Sequence, residues 1–172
     1  CIPAGRTSLM PTSNYWLWGQ AIPAGATGHQ AGRALLGRMF RAWTGEEMPE
    51  IGTEIHGKPH FLAGNLHFSI SHTKHFVFCA LGNAPLGVDA EEQDRNIDLR
   101  LAEKILTEPE YAIFQAASDQ NAALLRFWVQ KEAAVKWAGT GLRGYPKNVP
   151  DLPPVRACLN CWVAVKISGE AR

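Results

Sequence analysis

Between residues 30 and 43, Ala34, Leu35, Met39, Ala42 and Trp43 recur at helical spacing, punctuated by Arg33, Arg38 and Arg41. This predicts an amphipathic helix ending near Gly45. Upstream, to about residue 27, Gly, Pro, Ser and Ala dominate, with one aromatic run, Tyr15-Trp16-Leu17-Trp18, expected as an edge strand. Downstream lies a turn-rich connection through Pro49, Gly52, Gly57 and Pro59. The pattern then changes period. Residues 67–71 alternate, 75–81 form a buried-type apolar run and 86–91 make a third short segment, with turns at 71–74 and 83–85. Three strands in an antiparallel meander are predicted. Helical spacing returns at 99–106. Glu108-Pro109-Glu110 opens another helix, and 121–138 is rich in helix formers up to Gly139. Residues 141–154 read as loop and 161–167 as a last strand. No repeat or low-complexity segment is found.

The length of 172 residues fits one domain, or two small halves sharing a core. Seventeen basic against sixteen acidic residues leave a formal charge of +1, which gives no global basic field for nucleic acid. No apolar run reaches bilayer length, and the first residues lack a secretory pattern. The chain starts at Cys1 rather than Met, as a truncated or processed chain does. Four cysteines are too few and too scattered for a disulfide scaffold. Cys158-Leu159-Asn160-Cys161 has a redox or zinc spacing, but it lacks a second pair and Cys161 opens an apolar strand, so packing is expected. A reducing cytoplasm is the expected compartment.

Candidate chemistry lies in two motifs, Gly87-Val88-Asp89-Ala90-Glu91 and Trp128-Val129-Gln130-Lys131-Glu132-Ala133-Ala134-Val135-Lys136. Asp89 and Glu91, two apart on a strand, share a face. Trp128, Glu132 and Lys136 stack on one face of a helix. Carboxylate oxygens suit Mg²⁺, which arrives with substrate phosphates, and lysines supply charge to those phosphates. A polar strand end and a solvated Glu-Lys pair are the competing readings. Ser71-His72-Thr73, at a turn, presents hydroxyls, an imidazole and backbone N–H groups to an anion, or is a plain surface turn. Five of the six histidines lie between His56 and His75, without zinc-like spacing. Gly57-Lys58-Pro59 alone is a turn, the three arginines the wet side of a helix, and Gly139-Thr140-Gly141-Leu142 a cap and loop.

In order, Gly57-Lys58-Pro59, Phe68-Ser69-Ile70-Ser71-His72-Thr73, the two acidic motifs and Gly139-Thr140-Gly141-Leu142 resemble the 4′-phosphopantetheinyl transferases. The likeness is to the longer, pseudo-dimeric type acting on peptide and polyketide synthases, and runs from about Arg33 to Leu142. It implies an α+β fold of two similar halves, 1–84 and 85–172, each a small antiparallel sheet packed with helices around a shared cleft. It also implies transfer of phosphopantetheine from coenzyme A to a carrier-protein serine, releasing adenosine 3′,5′-bisphosphate. Asp89, Glu91 and Glu132 would hold Mg²⁺, with Mn²⁺ as substitute. Lys136 and Lys131 would meet phosphates. His72, with Ser71 and Thr73, would sit on coenzyme A, Lys58 by the nucleotide, and Arg33 and Arg38 near the 3′-phosphate. Glu110 and Glu132 are the candidate bases. Arg143 and Lys147 either meet an acidic carrier helix or are solvated loop charges. A monomer is expected, with neither nucleic acid nor membrane as partner. Ala90 and Leu106 depart mildly from the family pattern, and the region before Arg33 matches weakly. A coenzyme A-binding domain without turnover and a Mg²⁺-dependent phosphohydrolase are the alternatives.

Overall fold

A computed structural model describes residues 2–3, 14–140 and 147–169. The chain runs through β1 (Ile2–Pro3), β2 (Tyr15–Ala21), α1 (Gly28–Thr44), β3 (Ile51–Thr53), β4 (Pro59–Phe61), β5 (His67–His72), β6 (Phe76–Gly82) and β7 (Leu86–Glu92). A 3₁₀ turn over Leu99–Leu101 leads into α2 (Ala102–Ile105), α3 (Glu108–Ala116), α4 (Gln120–Ala138), β8 (Val155–Cys158) and β9 (Cys161–Ile167). The expectation of an α+β fold is met: among the described residues, α1 and α4 pack on small, mainly antiparallel sheets, and α3 packs against α4. Among the described residues no helix is long and apolar enough to cross a membrane.

Both principal helices begin and end where their sequences say they should. Thr27 and Gln30 cap α1 reciprocally, side chain to backbone N–H at 3.1 and 2.9 Å. Gly45 closes it in the left-handed conformation (φ 82°). Asp119 caps α4 through the Ala122 N–H at 2.9 Å, and Gly139 ends it at φ 67°. The apolar face of α1 (Leu35, Leu36, Met39, Phe40) covers one face of the sheet β1-β2-β6-β5. The other face of that sheet, through Phe78 and Ala80, packs on Leu86, Val88, Val163 and Val165 of a second sheet, β7-β9-β8. On the outer side of the second sheet lies α4, with Val129 and Ala133 against Ala164. The layers are helix, sheet, sheet, helix.

Two departures from the sequence reading matter. The meander stops after β6, because β7 pairs with β9 in the second sheet, Asp89 opposite Ala164. Its apolar set (Leu86, Val88, Ala90) is buried by stacking on the first sheet instead of extending it. The aromatic run forms β2, which lies between β1 and β6 and is not an edge. The connectivity of the two sheets matches: strand, helix, then a hairpin whose second strand takes the central position (β2-β6-β5 and β7-β9-β8).

Candidate functional site

Gly87 decides where α4 lies. A Cβ on this residue would stand 2.3 Å from both the Ala133 carbonyl oxygen and the Trp137 nitrogen. Only hydrogen on Cα lets the helix backbone cross β7 so closely. Since side chains alternate along β7, Asp89 and Glu91 point to the same side as Gly87, toward α4. The crossing thus sets Glu132 and Lys136 over Asp89. Lys136 Nζ lies 2.6 Å from Asp89 Oδ1.

Ser71 completes the cluster from the other sheet. Its hydroxyl donates to Asp89 Oδ1 (3.0 Å) and accepts from the Ala90 N–H and from Lys136 Nζ (3.2 Å each). Two residues before it, Ser69 accepts from the Val88 N–H at 3.0 Å. Serine side chains thus bind the β7 edge where a backbone ladder would otherwise run.

Asp89 and Glu132 are only 5% and 6% exposed. One oxygen of each, Asp89 Oδ2 and Glu132 Oε1, is buried with no partner. Burial, reinforced by the charge of Asp89 and opposed by Lys136, pushes the Glu132 carboxyl up to about 7. Burial also raises the Glu91 carboxyl, against the pull of its ion pair with Arg95. Buried, unpartnered carboxylate oxygens fit a hard divalent cation. Among the described residues, however, no three such side chains are gathered into a ready cage. Asp89 is engaged by Lys136 and Glu91 by Arg95.

Glu132 and Lys136 line a pocket of about 280 Å³, walled also by Lys58, Pro59, Phe68, Ile70 and Val135. Lys58 stands in that wall and donates to the Trp137 carbonyl at 2.8 Å, near the end of α4. Burial, partly offset by Glu54, lowers its ammonium pKa. His72 is exposed at the end of β5, its ring so close to Gly28, the first residue of α1, that a Cβ there would lie 2.5 Å away. Thr73 shapes the following turn, accepting the Phe76 N–H at 3.0 Å.

Other expected site residues are not gathered with these. Lys131, wholly buried, pairs with Glu110 at 2.9 Å and donates to the Lys147 carbonyl at 2.8 Å. Glu110 in turn accepts the Thr107 N–H at 2.7 Å, capping α3. Lys131 and Glu132 are neighbours in sequence but about 100° apart around α4, so they face different surroundings. Arg38 bonds Gln20 on the outer side of α1 and, with Arg41 of the Arg41–Glu47 pair, borders a separate groove. Arg33 lies half-buried on the same helix. Lys147 Nζ donates to the Glu103 carbonyl at 3.0 Å. Gly141, Leu142 and Arg143 lie outside the described residues. The sequence reading missed Ser69, Arg95 and the close approach at Gly87. Ser69 had a signal, its i, i+2 relation to Ser71. Cys158 and Cys161 oppose each other across a hairpin turn, but Cys158 is disulfide-bonded, so the expected packing role holds for Cys161 alone, whose thiol is pushed up to about 12 by burial.

Residues 85–159, which include β7 and α4, match the model of the 4′-phosphopantetheinyl transferase superfamily. This stretch is similar to members of that superfamily. Among curated proteins it is 37% identical over 89 residues to the 4′-phosphopantetheinyl transferase gsp of Aneurinibacillus migulanus, covering 51% of this chain and 37% of that one. It is 38% identical over 93 residues to the transferase psf-1 of Bacillus pumilus (52% and 40%), and 32% identical over 95 residues to the transferase Sfp of Bacillus subtilis strain 168 (54% and 42%). The matched stretch spans about two fifths of the length of these relatives.

Proposed function

We propose that this chain transfers 4′-phosphopantetheine from coenzyme A to the serine hydroxyl of an apo carrier protein, with Mg²⁺ or Mn²⁺, releasing adenosine 3′,5′-bisphosphate. The observation that carries this reading is the pair of buried, unpartnered oxygens of Asp89 and Glu132, set beside Lys136 inside the stretch that matches the transferase model. Asp89, Glu91 and Glu132 would hold the cation, which when bound polarises the pyrophosphate and offsets its charge. Lys136, released from Asp89, would turn its ammonium to the phosphates. Lys58 lines the pocket and would lie by the nucleotide end, while His72, outside that lining, would meet a phosphate beside the N-terminus of α1, where anions are favoured.

Glu132, on the pocket wall beside Asp89 and Lys136, is placed to take the serine proton. Glu110, tied to Lys131, suits a structural role better. The shared connectivity of the two sheets supports two pseudo-symmetric halves meeting near residue 85. We place the protein in the cytoplasm as a monomer.

The test is intact-mass spectrometry of an apo carrier protein incubated with this protein, coenzyme A and Mg²⁺, with and without EDTA. A metal-dependent gain of one phosphopantetheine is expected. Coenzyme A cleaved without carrier modification would instead make the protein a hydrolase.

A further inference from the structure

Beyond β7 the chain folds back on itself. The Arg95 N–H donates to the Glu92 carbonyl at 3.0 Å, and the Arg95 side chain returns to pair with Glu91. This loop is fixed at its base. Asn121, in the first turn of α4, donates to the Arg95 carbonyl at 2.9 Å and accepts the Ile97 N–H at 3.0 Å. Ile97 is buried in the cluster under α4. The guanidinium is therefore anchored over the end of β7 and does not roam on a loose loop. Asp89 and Glu91, the two β7 carboxylates on the α4 side, thus each have a cation from their own chain: Lys136 on Asp89 and Arg95 on Glu91.

We propose that Arg95 is an internal competitor for Glu91, lowering the affinity of the site for its divalent cation. The inference rests on the reading of Asp89, Glu91 and Glu132 as that cation's ligands. For Glu91 to give its oxygens to a metal ion, the pair must open, and the freed guanidinium still repels the incoming dication. Arg95 is about half exposed, so the competition is worth what such pairs are worth, about a two- to fivefold change in affinity. It is screened by salt. Arg95 sets the metal concentration at which the site fills and takes no part in the chemistry.

The test measures Mn²⁺ binding to the metal-free protein by loss of the free-ion EPR signal, with Mg²⁺ as competitor. Wild type, Arg95→Gln, Arg95→Lys and Glu91→Gln are compared, and melting temperatures in EDTA confirm that each variant folds. Arg95→Gln is expected to bind about two- to fivefold tighter at low salt, Arg95→Lys close to wild type, and the gain to shrink in high salt. If wild type and Arg95→Gln bind Mn²⁺ with equal Kd, or Arg95→Gln binds more weakly, the competitor role is overturned while the metal site stands. If neither binds Mn²⁺, with or without coenzyme A, the metal reading fails and this inference fails with it.

Discussion

Lys136 of α4 reaches Asp89 of β7 at 2.6 Å, bringing together two residues 47 positions apart. Ser71 joins them from the opposite sheet, so the contact links both sheets to the long helix. A buried carboxylate held this way depends on its partner: removing one member leaves the other desolvated and unpaired.

Lys136→Met is therefore expected to destabilise the protein by about 2 kcal/mol. Asp89→Asn keeps the shape and is expected to remain folded while losing transfer by at least a hundredfold. Urea titration and the carrier-protein mass assay separate the two effects. Near-normal transfer by Asp89→Asn at limiting Mg²⁺ would remove Asp89 from the metal site.

The Glu132 carboxyl gives stability a pH dependence in the metal-free protein. Its folded pKa of about 7 lies above the ordinary 4.5, so the folded state binds more protons between these values. The cost is absent below 4.5, grows as pH rises and is complete above 7, at most about 3 kcal/mol. Glu132→Gln should accordingly be more stable than wild type at pH 8 in EDTA and no more stable at pH 4, while being inactive in transfer. Equal melting temperatures at pH 8 would show that burial does not strain this carboxyl.

At Gly87 the obstruction to a side chain is helix backbone, which has little room to yield. Gly87→Ala should lower stability by about 3 kcal/mol or shift α4 along β7. A chemical-denaturation curve matching wild type would contradict the close crossing.

Lys131 and Glu110 offer a double-mutant cycle. Lys131→Met leaves Glu110 without its ammonium, and breaking a buried pair costs about 3–5 kcal/mol. Adding Glu110→Gln should recover part of that loss. A double variant whose loss is the sum of the singles would mean that the pair is not coupled.

His72→Ala should raise the KM for coenzyme A more than it lowers kcat, because His72 would contribute ground-state phosphate binding. Steady-state kinetics with varied coenzyme A decide this, and an unchanged KM refutes it.

Several elements were legible in the chain itself. The periodicity and flanking glycines marked α1 and α4, and the run from Cys161 to Ile167 is β9 as expected. The β3–β4 hairpin was hidden in a stretch dense with turn residues, its strands only three residues long. β8 was hidden for a different reason. Its turn places Leu159 and Asn160 at φ 49° and 58°, and Leu is a poor turn former. Packing of the Leu159 side chain against the sheet core offsets that preference. The site divides in the same way. Asp89, Glu132 and Lys136 could be singled out from residue type and spacing, and Ser69 had a signal only in its spacing from Ser71, whereas Arg95 had none, since its role depends on the fold of the turn after β7.

The sequence by itself determined the helices and most strands, because periodicity, caps and turn residues act within a few positions of one another. It also determined which carboxylates and lysines were available for chemistry. Only the tertiary structure decided that β7 leaves the first sheet for the second. Only the crossing at Gly87 decided that Glu132 faces the pocket, while its neighbour Lys131 is buried against Glu110 on another side of α4. Those outcomes depend on how whole faces stack and how closely two backbones approach, and no local pattern encodes such distances.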